Sequence, residues 1–205
     1  SDDMFEGNNG SFNIGIGTCA LHNNNSGSDN VAVGTNAMHN NESGHTNVAV
    51  GRDAMHFNLN GQHNVAVGGA SMLQNTGGVQ NVAVGSNSLA SNTTGQHNVA
   101  VGAWSLYSNS TAQGLVAVGF EALRANTSGT ANTGVGYHAL FANTNGFDNT
   151  AVGHNSHSAG GGAKNTAVGA RSLSANAGGG ENTAIAVDAM IATTMGSQNT
   201  AVGFT

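Results

Sequence analysis

Three sets of side chains in this sequence have the types and spacing to do chemistry. His22, His39 and His56 recur every 17 residues. Imidazoles repeated at that interval and stacked on one another can ligate a metal or titrate near neutral pH. Trp104, the only tryptophan, lies three residues before Tyr107, and Phe120, Tyr137 and Phe141 follow within two further intervals. Aromatic rings so grouped can stack on sugars or pack against another chain. The third set is acidic: Asp53, Glu121, Asp148, Glu181 and Asp188.

None of these sets amounts to a catalytic constellation. The histidine column continues as Leu73, Ala90, Tyr107, Arg124 and Phe141, as a solvated and variable column does. No metal or cofactor is expected there. The acidic residues lie in different repeats, so no carboxylate pair for acid–base work is indicated. Cys19 is the only cysteine and has no metal-ligand spacing around it. Gly160-Gly161-Gly162 precedes Ala163-Lys164 but lacks the spacing of a phosphate-binding loop. No catalytic, cofactor-binding or metal-binding residue is assigned. The candidate surface-recognition residues are Trp104, Tyr107, Phe120, Tyr137, Phe141, His22, His39 and His56.

What must position these residues is a repeat. Asn30-Val31-Ala32-Val33-Gly34 returns at Asn47, Asn64, Asn81 and Asn98. Asn-Thr-Ala-Val-Gly follows at Asn149, Asn165 and Asn199, with looser copies at Asn13, Leu115, Asn132 and Asn182. Twelve copies stand 17 residues apart, with one interval of 16 between Asn149 and Asn165. Counted from the opening Asn, position 2 is Val or Ile and later Thr, position 3 Ala or Gly, and position 4 Val or Ile. Position 5 is Gly except at Ala186, and position 9 is Leu or Met except at His157. Position 12 is mostly Asn and position 15 mostly Gly.

A period this short specifies a solenoid. Positions 2 and 4 share one face of a short strand, because side chains alternate along it. We read that face as the inward one, together with the Leu or Met of position 9. The Asn, Ser, Thr and Gly after position 9 support turns. Apolar residues do not recur at helical spacing. The expected fold is all-β: a parallel β-solenoid (β-roll) of twelve ~17-residue coils over residues 13–205, after a lead-in over 1–12. Coils about 4.8 Å apart would stack like residues into ladders, with buried Asn side chains bonding to one another. A seam is expected near 110–116, where Ala112 replaces the usual Gly and Leu115 the usual Asn. So thin a core suggests that several chains pack side by side, with the small residues of positions 3, 5 and 8 as the faces of close approach.

Composition excludes several function classes. Four cations (Arg52, Arg124, Lys164 and Arg171) in a chain of net charge −6 make no basic patch for nucleic acid. No stretch approaches the ~20 apolar residues of a membrane span, and no signal peptide is visible. The abrupt start at Ser1 and the stop within a repeat at Thr205 suggest a fragment.

The pattern Asn-Thr-Ala-Val-Gly-x-x-Ala-Leu-x-x-Asn-Thr-x-Gly resembles the repeats of phage tail fibres and the β-roll heads of trimeric autotransporter adhesins. The nearest local match is Thr150-Ala151-Val152-Gly153-His154-Asn155-Ser156-His157. The resemblance spans Asn13 to Gly203. It implies a trimeric extracellular fibre, displayed on a cell surface or a virion, that attaches to a glycan or protein receptor on a cell. Most repeats here are longer than the autotransporter type, and no heptad stalk or membrane anchor is present. A polysaccharide depolymerase fibre and a passive shaft spacer are the alternatives.

Overall fold

The structure is a computed structural model that describes residues 9–204. The lead-in residues 1–8 and Thr205 lie outside the described residues. The described chain is an all-β parallel solenoid. Twelve three-residue strands, from Ile14–Ile16 to Thr200–Val202, pair in sequence order into one parallel sheet. Each residue pairs with its equivalent one coil on, as Val82↔Val99, Ala83↔Ala100 and Val84↔Val101 do. The short coil does not disturb this register: Thr150 pairs Thr166. Two-residue strands at Asn23–Asn24 and Asn40–Asn41 form a second small sheet. The register also runs unbroken across 110–116, where Val99 pairs Val116 and Val116 pairs Thr133.

The interior is built differently from the sequence expectation. The alanine at position 3 faces inward, and the Val or Thr at positions 2 and 4 face outward. Ala32, Ala49, Ala66, Ala83, Ala100, Ala117, Ala151, Ala167 and Ala184 are fully buried. The flanking residues are half-buried or exposed. Alternation assigns two faces to a strand, but the space available decides which is inside. A Cβ built at Gly134, in position 3, would lie 3.4 Å from Leu123 Cδ1 and 3.2 Å from the Ala139 carbonyl oxygen. A methyl group fits that gap and an isopropyl group does not. Positions 3 and 8 are therefore core, as Ala37, Ala54, Ala122 and Ala139 also show, and cannot serve as faces between chains.

Position 9 points inward as expected: Leu21, Met38, Met55, Met72, Leu89, Leu106, Leu123, Leu140 and Leu173 are fully buried. The turn that aims them inward is unusual. Residues 7 and 9 of each coil are left-handed, for instance Asn87 at φ 56° and Leu89 at φ 52°. Bulky residues rarely adopt that conformation, and the interior contact of the side chain supports it here.

Asparagine supplies the second half of the core. Along position 12, from Asn41 to Asn143, each Nδ2 donates to the Oδ1 of the coil before, as Asn75 does to Asn58 and Asn92 to Asn75, both at 2.8 Å. Along position 1, the Oδ1 accepts the next coil's backbone N–H, as Asn64 accepts from Asn81 N at 3.0 Å. Both columns meet on the position 15 carbonyl: Gly95 O accepts from Asn81 Nδ2 at 2.8 Å and from Asn92 Nδ2 at 3.2 Å. Buried amides so paired avoid the penalty of desolvated polar groups. Replacing Asn92 by Ala leaves the Asn75 acceptor and an Asn109 donor short of a partner, while Gly95 O keeps Asn81. The expected cost is about 2 kcal/mol, read as a lowered urea midpoint.

The irregular positions strain these ladders without parting the strands. Leu115 is buried where Asn is usual, and its N–H still donates to Asn98 Oδ1 at 3.0 Å. Beside Ala112 the position 12 ladder stretches, with Asn126 Nδ2 3.5 Å from Asn109 Oδ1.

Candidate recognition surface

Stacking coils place outward side chains in columns, so a recognition surface is a set of adjacent rungs. His22, His39 and His56 form such a column. Their ring centroids are 5.1 and 5.0 Å apart, and His39 and His56 are parallel within 1°. Phe57 adds an edge contact to His56 at 4.4 Å. Burial lowers the pKa of His56, and the neighbouring His39 lowers it further, while Asp53 opposes both. Among the described residues, no three or more His, Cys, Asp or Glu side chains are arranged to hold a metal ion.

The aromatic candidates gather on one corner of the rod. Phe120 and Tyr137 stack at 5.6 Å, and Tyr137 continues onto His154 at 5.3 Å. Tyr137 also stacks on His138 at 3.9 Å, which meets Phe141 at 4.7 Å. Trp104 and Tyr107 touch at 4.8 Å, and the Arg124 guanidinium bridges the Trp104 and Phe141 rings at 5.5 and 5.8 Å. Glu121 lies 2.7 Å from His138 Nε2 and 3.4 Å from Arg124 Nη1. The structure thus joins five of the aromatic candidates in one strip and keeps the three histidines in another, several coils away. Phe120 and Tyr137 are the exposed members. Within the ladder, faces are taken by neighbouring rings and edges point to solvent.

Two surfaces escaped the sequence reading. The first is the sheet's outer face. Inverting the strand turns positions 2 and 4 into a continuous outward stripe of Val and Ile, with Thr at position 2 from Thr133 onward. Val67, Val84, Val101, Val152 and Val168 are each 36–37% exposed. The alternation itself carries this signal, and the narrow cross-section sets its direction. The second is a notch of about 330 Å³ lined by Phe147, Ala163, Lys164, Gly180, Glu181, Ser197 and Gln198. It arises where position 16 shrinks to Ala163 and Gly180, between Phe147 and Ser197.

The interior also holds a titratable group. His157 takes the place of Leu at position 9 and is fully buried. Its Nε2 accepts from Asn176 Nδ2 at 3.2 Å, which puts the neutral ring's proton on Nδ1. Nδ1 is buried without a partner. Gly160, at position 12, removes one amide from the Asn ladder, leaving Asn143 Oδ1 without a donor. Burial pushes the His157 pKa down to about 4.

Among the described residues, no helix is long and apolar enough to cross a membrane. No protein-family model, curated protein or solved structure matches this chain.

Proposed function

We propose that this chain is a structural and adhesive segment of a trimeric extracellular fibre, displayed on a cell or virion, that attaches to a cell-surface glycan. The observation that carries this reading is the outer sheet face. Twelve strands in register present a straight apolar stripe, about 53 Å long at strand spacing. Contiguous exposed apolar surface of that extent marks an interaction site. Identical copies satisfy it with least new chemistry, because a stripe that runs along the rod matches itself after rotation about a parallel axis. Three rods with valine faces turned to a common axis leave the aromatic strip, the histidine column and the notch free for a receptor. The repeat pattern's resemblance to tail-fibre and adhesin heads supports the same assembly.

Charge placed in that face tests the proposal. Val84→Asp with Val101→Asp is expected to release single chains and to abolish binding of the whole chain to a broad glycan array. Each isolated carboxylate would be desolvated at the axis. A variant that stays trimeric and binds unchanged would show that the chains meet elsewhere.

A further inference from the structure

We infer that the notch between Phe147 and Ser197 is a saccharide subsite for a neutral, hydroxyl-rich sugar. The inference rests on the adhesive reading above and deepens it.

The notch is written into one column. Position 16 carries Gln62, Val79, Gln96, Gln113, Thr130 and Phe147 in turn, then Ala163, Gly180 and Ser197. Large outward side chains therefore stop at Phe147, and two small residues leave a depression with an aromatic wall. Phe147 is exposed. Its carbonyl accepts the Lys164 N–H at 2.9 Å, so the backbone beneath the depression stays in the solenoid register. The neighbouring column gives the depression a polar side. Lys164, Glu181 and Gln198 follow one another on successive coils, about 4.8 Å apart.

These side chains are suited to sugar hydroxyls. Gln198 Nε2 donates to Glu181 Oε2 at 3.0 Å, which fixes the carboxylate in place. The remaining carboxylate lone pairs can accept from hydroxyl groups. Ser197 Oγ accepts the Gly180 N–H at 3.1 Å, which leaves its own hydroxyl proton to donate. Lys164, the chain's only lysine, has no ion pair among the described residues and is exposed. Lysine and glutamate side by side cancel in charge, so an uncharged ligand suits the site better than an anion. An apolar wall beside a few placed polar groups is the usual composition of a small-ligand site, and the volume is at the low end of the range of about 300–1,000 Å³. The strip around Tyr137 differs, because its ring faces are already stacked on one another.

The test starts from a glycan array with the intact chain, followed by titration of a bound neutral glycan against three variants. Phe147→Ala removes the wall, and Ala163→Gln refills the depression with the side chain usual in that column. Each is expected to weaken binding at least tenfold, with mass and thermal midpoint unchanged. Glu42→Ala, at an exposed position several coils away, is expected to leave affinity unchanged. Equal binding by Phe147→Ala and Ala163→Gln would overturn the subsite while the adhesive reading stands. Silence across the array would overturn both the subsite and the glycan receptor, and favour a shaft spacer.

Discussion

Gly85→Ala is expected to destabilise the rod by about 3 kcal/mol or more, through two effects that add. Gly85 has φ 135°, a region that residues with a side chain rarely enter. The added Cβ would also lie 2.6 Å from the carbonyl carbon of Gly102 and 2.7 Å from its oxygen. Both atoms are backbone of the next coil, held by the sheet bond from Gly102 N to Val84 O at 2.8 Å. They can move only if the coils part. The glycine column from Gly17 to Gly153 stands in this relation, Gly34 on Gly51 and Gly51 on Gly68. Ala186 is the one departure, at φ 134°. The complementary change Ala186→Gly is expected to raise stability by about 1 kcal/mol, since relief of a forced positive φ outweighs the added freedom of the unfolded chain. Urea melts of both variants measure the pair. A Gly85→Ala midpoint equal to the parent's would mean the coils are not stacked in this register.

Acid is expected to weaken the rod through His157. The folded pKa is about 4 and the ordinary value 6.5. The unfolded chain therefore binds the proton first. Stability from this residue is complete above about pH 6.5, falls as the pH drops, and is lost once pH passes below about 4. A shift of that size corresponds to about 3 kcal/mol. Protonation would place a charge where Nδ1 has no partner and would turn Nε2 from acceptor to donor, against Asn176 Nδ2. His157→Leu restores the residue type of that column. It is expected to gain about 1 kcal/mol at pH 7 by removing the unpaired buried N–H, and to flatten the acid limb. Chemical melts of parent and variant at pH 7 and pH 4 isolate the effect, because all other groups are common to both. An unchanged difference between the two pH values would contradict the assignment.

Much of the fold was legible in the sequence, and the reasons are specific. Asn at positions 1 and 12 repeats because each amide bonds to its equivalent one coil away, so the ladder imposes identity that a reader can see. Gly at position 5 repeats because a side chain there meets backbone. Leu and Met at position 9 were rightly read as interior. The strand is turned inside out relative to the expectation from hydrophobicity. Valine outranks alanine in hydrophobicity, but the coil is too thin for valine beside Leu123, and that limit belongs to the cross-section rather than to the repeat. Of the surface candidates, spacing in units of the coil predicted the histidine stack. It did not reveal that Phe120, Tyr137 and His154 would share a ladder, or that Arg124 would lie between Trp104 and Phe141. Those contacts depend on positions 6, 7 and 10 meeting at one corner. The notch was hidden because small residues draw no attention in a chain with 32 glycines. His157 stood out as an exception in its column, whereas the missing amide at Gly160 becomes visible only when the ladder is traced from Asn143 to Asn176.

We propose that the outward valine face is covered by copies of the same rod. Sedimentation equilibrium of the unmodified chain at neutral pH tests this directly. Three chains of 20.3 kDa predict a single species of about 61 kDa (3 × 20.3) whose mass is independent of concentration over the micromolar range. A stable species of 20.3 kDa, with the valine face open to water, would contradict it.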